Sequence, residues 1–140
     1  MDWKKFFFAF ITAFIFIFLF GWFFHEVVLK GTYAQVPSSL MRTPEEFKNH
    51  FAWLVLGQLV FVFVFVLIFA KGFAGGGVGA GISLGIMIAI LGIGAHLIAY
   101  AVQPFPGRLI ACWSLGALVE MGIVGAIVGA IYKPAALNPS

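Results

Sequence analysis

The sequence predicts an all-α fold, a four-transmembrane-helix bundle that forms a single transmembrane domain over residues 1–140. Hydrophobic residues make up 63% of the chain, charged residues only 9%, and the mean hydropathy is +1.11. A soluble domain of this length cannot bury so much apolar surface. Four apolar stretches are long enough to cross a hydrocarbon core, which requires about 20 helical residues. They cover residues 6–24, 53–70, 80–102 and 109–131.

The first apolar stretch follows Lys4 and Lys5, an arrangement shared with signal peptides. Its 19 residues exceed the apolar core of a signal peptide, about 7–15 residues, so we expect a retained first span. Lysine and arginine are divided evenly between the two sides of the four spans. Because the first helix often sets the orientation, the two lysines before it favour cytoplasmic termini.

The loop between the first two spans is polar, and its segment "TPEEFKNHFAW" carries a helix-start signal. Thr43 is placed to cap the helix, Pro44 to occupy its first turn, and Glu46 to complete a capping box. We therefore expect a helix extension that begins outside the membrane and runs into "VFVFVFV", where a lone strand would leave its backbone unpaired in lipid. Phe47 and Phe51 share one side of the extension, to rest either in the lipid interface or on a partner.

The segment "KGFAGGGVGAG" between the second and third spans is rich in glycine. It lacks the preceding strand and the Lys-Ser/Thr pair of a phosphate-binding loop, so we read it as a flexible turn. Gly81, Gly85 and Ala89 then follow at four-residue steps in the third span, as do Gly125 and Gly129 in the fourth. Small residues at this spacing let helices approach closely, which predicts tight packing of the third and fourth helices. The same surface would also suit another chain.

Polar residues inside the spans are costly in lipid and are therefore functional candidates. Helical spacing places His96 and Tyr100 on one face of the third helix. The 1.5 Å rise per residue places Gln58 and Glu120 in the same half of the bilayer as His96. The predicted intramembrane polar cluster consists of Gln58, His96, Tyr100 and Glu120, with His25 and Glu26 as a pair at the membrane rim above it.

Three interpretations of this cluster stay open. His96 and Glu120 would form a buried hydrogen-bonded pair that fixes helix packing, or a path for protons or a small solute. His25, His50 and His96 would instead form a metal or haem site. The segment "HEVVL" is not a zincin motif, because Leu29 stands where the second histidine is needed.

Three segments resemble an uncharacterised family of small bacterial four-helix integral membrane proteins, whose shared domain has no known function. They are "FHEVVLKGTY", "LGQLVFVFVFVLIFAKG" and "WSLGALVEMGIVGAIVGAIYKP". The resemblance implies a four-helix fold and a multi-pass location in the bacterial inner membrane. It implies no activity.

For function, the sequence favours a non-enzymatic structural or accessory subunit of a larger membrane assembly. It contains no nucleophile-base constellation, complete metal motif or nucleotide loop, whereas its 18 phenylalanines offer a large apolar surface. The expected partners are membrane lipids and either other membrane protein subunits or further copies of the chain, with no nucleic acid. A proton-coupled or small-solute transporter that uses Glu120 and His96 is the first alternative. A haem-, metal- or pigment-binding subunit is the second.

Overall fold

Four long helices dominate the computed structural model, which describes residues 1–133. They are α1 (Trp3–Phe23), α2 (Pro44–Gly72), α3 (Gly77–Val102) and α4 (Gly107–Ile131), and the described residues contain no strand. The segment containing each helix is long and apolar enough to cross a membrane, so the chain is a multi-pass membrane protein. The predicted all-α four-helix fold is confirmed, and each predicted apolar stretch lies within one of these segments.

Short turns join α2 to α3 and α3 to α4, so neighbouring helices in the chain run antiparallel. The turn after α2 depends on glycine, because Gly75 (φ 90°) and Gly77 (φ 65°) adopt the left-handed backbone conformation. This confirms the glycine-rich turn. We call this end of the bundle the glycine-turn end. The opposite end, which carries residues 24–43, is the loop end.

The chain leaves α1 through irregular helical turns at the loop end. A π-helical turn, Phe24–Val28, closes with a bond from the Leu29 N–H to the Phe24 carbonyl (2.9 Å), and a single α-turn follows at Lys30–Tyr33. Leu29 and Val36 then pack with Leu109 of α4 in a small buried cluster. These contacts anchor the loop onto α4.

The start of α2 is fixed by the predicted capping box. The Thr43 hydroxyl accepts from the Glu46 N–H (3.2 Å), and the Glu46 carboxylate accepts from the Thr43 N–H (2.8 Å). With 29 residues, α2 is about 43 Å long at the standard helical rise. It therefore exceeds the hydrocarbon core of about 30 Å, and the predicted helix extension from Pro44 into the second span is confirmed.

Glycines bring α3 and α4 into backbone contact. A Cβ added at Gly81 would overlap the carbonyl oxygen of Gly125, and one added at Gly85 would overlap that of Met121. At Gly129 it would overlap the backbone of the first turn of α3. The tight packing of these two helices, predicted from the four-residue steps, is confirmed.

The main hydrophobic core lies toward the glycine-turn end. Its residues come from positions 6–17 of α1, the second halves of α2 and α4, and positions 84–89 of α3. Helix α1 packs against both α2 and α4, whereas α2 and α3 have no extended contact. The bundle is consequently closed on three sides and open between α2 and α3.

Candidate functional site

An open cleft fills the loop end of the bundle between α2 and α3. Its volume is about 1150 Å³, and all four helices and the loop after α1 contribute to its walls. Bulky rings and charged side chains surround the mouth, and apolar side chains form the floor. Glycine contacts hold α3 against α4, and α2 packs against α1. The cleft lies between these two helix pairs.

Three of the four residues of the predicted cluster line this cleft: Gln58 from α2, His96 from α3 and Glu120 from α4. No hydrogen bond joins them to one another within residues 1–133. His96 instead places Nδ1 3.4 Å from the Ser114 hydroxyl. The Gln58 side-chain oxygen is buried without a partner, and its amide nitrogen lies next to Gly21 of α1. The structure thus brings the three side chains to one cavity but not into direct contact.

Tyr100 lies apart from the other three. Tyr100 is 51% exposed, and its hydroxyl lies beside Gly107, the first residue of α4. The helical spacing predicted a shared face for Tyr100 and His96, but Tyr100 is more than half exposed and does not line the cleft. Only the deeper residue therefore faces the cleft.

The predicted rim pair, His25 and Glu26, also lines the cleft, and His25 has a further partner. Its Nδ1 is 2.6 Å from the Tyr33 hydroxyl, which accepts a bond from the Trp113 indole N–H (2.8 Å). A Tyr33 hydroxyl that donates to an unprotonated His25 Nδ1 satisfies all three groups. This bond chain ties the exit of α1 to α4.

Sequence reasoning missed Tyr33, Trp113 and Ser114 as members of the site. Burial raises the pKa of Tyr33 from its ordinary value, the Trp113 N–H opposes that shift, and the charge of Glu26 reinforces it. The neutral phenol is consequently favoured. The only sequence signal for this contact is the tyrosine that follows the rim pair within "FHEVVLKGTY", because Trp113 lies 80 residues away.

A second, smaller cavity of about 340 Å³ joins the rim to the middle of the bundle. His25 lies at one side of it, with His96, Trp113 and Glu120 along its walls. The Phe24 ring covers it on another side, seated against Gly116 where a Cβ would overlap the ring. The cavity has polar side chains in its walls and is large enough to hold water, which needs two to four polar partners per molecule.

The chemistry available at these cavities is hydrogen bonding, charge pairing and proton exchange. Within the described residues, no group of three or more His, Cys, Asp or Glu side chains is placed to hold a metal ion, and His25, His50 and His96 form no such group. Comparison with protein-family models, curated proteins and solved structures gives no match to this chain.

Proposed function

We propose that this chain is a non-enzymatic accessory subunit of a larger assembly in the bacterial inner membrane. The observation that carries the proposal is the exposure of α2. Every residue from Met41 to Leu54 is exposed, although this stretch includes the first three turns of a helix. In most proteins a helix gains its stability from packing one face against other elements, and here another chain would supply that packing.

The outward face of α2 provides a specific surface for such a partner. Trp53, Leu56 and Val60 recur at three- and four-residue steps and are 69%, 49% and 56% exposed. We call these three residues the α2 stripe. None of them lines the cleft, and tryptophan is enriched at protein interfaces.

One of the two docking surfaces that the sequence offers is already covered within the bundle. The glycine face of α4, which the sequence offers as an alternative, is occupied by Gly81 and Gly85 of α3. Association through that face would require the tightest contact in the bundle to open. The aromatic faces of α1 and α2 are therefore better placed to meet another subunit.

A photocrosslinking amino acid placed at Trp53 or Leu56 tests the proposal in native membranes. Leu91 and Leu115 are matched controls, because they are apolar and 72% and 65% exposed on α3 and α4. We expect a protein adduct of defined mass from the α2 stripe and only lipid adducts from the controls. An adduct of twice the chain mass would identify the partner as a second copy. Lipid adducts alone at all four positions would contradict the proposal.

A second candidate function is a proton-coupled or small-solute transporter. The observation that favours it is the 340 Å³ cavity, which links His25 at the rim to His96 and Glu120. Below Glu120 the bundle closes, since Met121 and Val124 are buried. Transport would therefore require a further opening toward the glycine-turn end.

Glu120→Gln distinguishes the two candidates, because glutamine retains hydrogen-bonding groups but cannot release a proton. If the chain carries protons, this substitution abolishes pH-dependent uptake in proteoliposomes while the fold persists. If the chain is an accessory subunit, the wild type shows no such uptake, and the variant keeps the crosslinks of the α2 stripe. Uptake that is present and unchanged in the variant would exclude Glu120 as the proton carrier.

A further inference from the structure

We propose that the 1150 Å³ cleft binds one phospholipid whose headgroup carries both a phosphate and a primary ammonium group. The cleft slightly exceeds the volume of pockets for small ligands, about 300–1000 Å³. It opens sideways between α2 and α3, so an occupant can enter from the bilayer. The α2 stripe does not line the cleft, and this inference does not depend on subunit docking.

The charges at the mouth select the headgroup. Lys30 and Arg42 line the cleft at the loop end together with Glu26, and no ion pair joins these three side chains. Two cations suit a phosphate, which arginine can bind with two parallel hydrogen bonds. The carboxylate of Glu26 then accepts from a primary ammonium group. An anionic headgroup without an amine would leave Glu26 unmatched, and a quaternary ammonium has no N–H to donate.

The polar residues one turn deeper match the ester groups that join the headgroup of such a lipid to its acyl chains. Gln58 lies beside Gly21 of α1, and His25 is four residues farther along, about 6 Å nearer the mouth. The Gln58 oxygen is enclosed without a partner, whereas its amide nitrogen is accessible and makes no hydrogen bond within residues 1–133. The amide N–H groups can therefore donate to an ester carbonyl in the cleft, which His96 also lines.

Apart from Glu120, the floor of the cleft is apolar and fits an acyl chain. Phe61, Ile88 and Met121 lie there, with Ile17 of α1. Phe61 is eight residues after Trp53, which begins the predicted span, so the floor is about 12 Å into the membrane along α2. One leaflet of hydrocarbon is about 15 Å thick. The cleft therefore has the depth of a single leaflet.

Lipid binding by the purified full chain tests the proposal. Native mass spectrometry would measure binding of phosphatidylethanolamine, phosphatidylglycerol and phosphatidylcholine with identical acyl chains. We expect the tightest binding for phosphatidylethanolamine. Glu26→Gln should remove its advantage over phosphatidylglycerol, whereas Lys30→Gln should weaken both about fivefold. Lys71→Gln, at the glycine-turn end, should bind as the wild type does.

Two glycine variants separate cleft binding from general lipid association. Gly92 lines the cleft and Gly94 does not, and a Cβ at either position meets no atom within 4 Å. Gly92→Leu should fill the cleft and abolish selective binding, whereas Gly94→Leu should retain it. The proposal would be overturned if these two variants bound lipid equally or if binding did not depend on the headgroup. It would also be overturned if a polypeptide occupied the cleft in place of lipid.

Discussion

Replacing Gly81 by alanine should destabilise the bundle, whereas the same change at Gly94 should stabilise it. Both glycines lie inside α3, and alanine in a helix interior gains about 1 kcal/mol over glycine. At Gly94 the added Cβ meets no atom within 4 Å. At Gly81 it overlaps the carbonyl oxygen of Gly125, which belongs to a backbone and cannot rotate away. The helices must therefore separate to admit one methyl group.

The difference between the two variants isolates the cost of that overlap, because the gain in helix propensity is common to both. Overpacking a close-packed interior costs about 1–3 kcal/mol, so the free energies of unfolding should differ by that amount. Reversible unfolding in mixed micelles, followed by helical circular dichroism, measures both variants against the wild type. A Gly81→Ala protein as stable as Gly94→Ala would refute the backbone contact between α3 and α4.

Three further outcomes are expected. Thr43→Ala should loosen the first turn of α2 by about 1 kcal/mol and speed amide exchange over 45–48, whereas Thr43→Ser should not. Tyr33→Phe leaves the part-buried Trp113 N–H without its acceptor, at a cost of about 1–3 kcal/mol. Because the pKa of Tyr33 is raised, wild-type stability should fall as the pH rises above 10.0. The phenylalanine variant has no phenol to ionise, so its stability should not show this contribution to the fall. Ser39→Cys, in a background without the natural cysteine, should react with an impermeant reagent added to intact cells. Protection there, with labelling of a terminal cysteine, would reverse the orientation.

The features that the sequence predicted are those encoded locally. The capping box requires only Thr43, Pro44 and Glu46 in adjacent positions. The close approach of α3 and α4 follows from glycines one turn apart, because the missing side chains themselves create the contact. Composition and length are enough for the four spans, since lipid permits few alternatives to a helix.

The contacts that the sequence did not predict depend on residues far apart in the chain. Tyr33 and Trp113 are joined by a hydrogen bond across 80 positions. His96 lies within hydrogen-bond distance of Ser114, a contact that none of the three interpretations included, because helical rise gives depth but not the rotation of one helix against another. The opening between α2 and α3 is likewise a property of the whole bundle.

The composition of the particle extracted in mild detergent at native expression tests the central claim most directly. The chain has a mass of 15.2 kDa. An accessory subunit should migrate in a larger complex that contains other membrane chains, or further copies of itself, in a fixed ratio. Charged substitutions at Trp53 and Leu56 should release it from that complex without unfolding it. A strictly monomeric particle with no protein partner after gentle extraction would contradict the account.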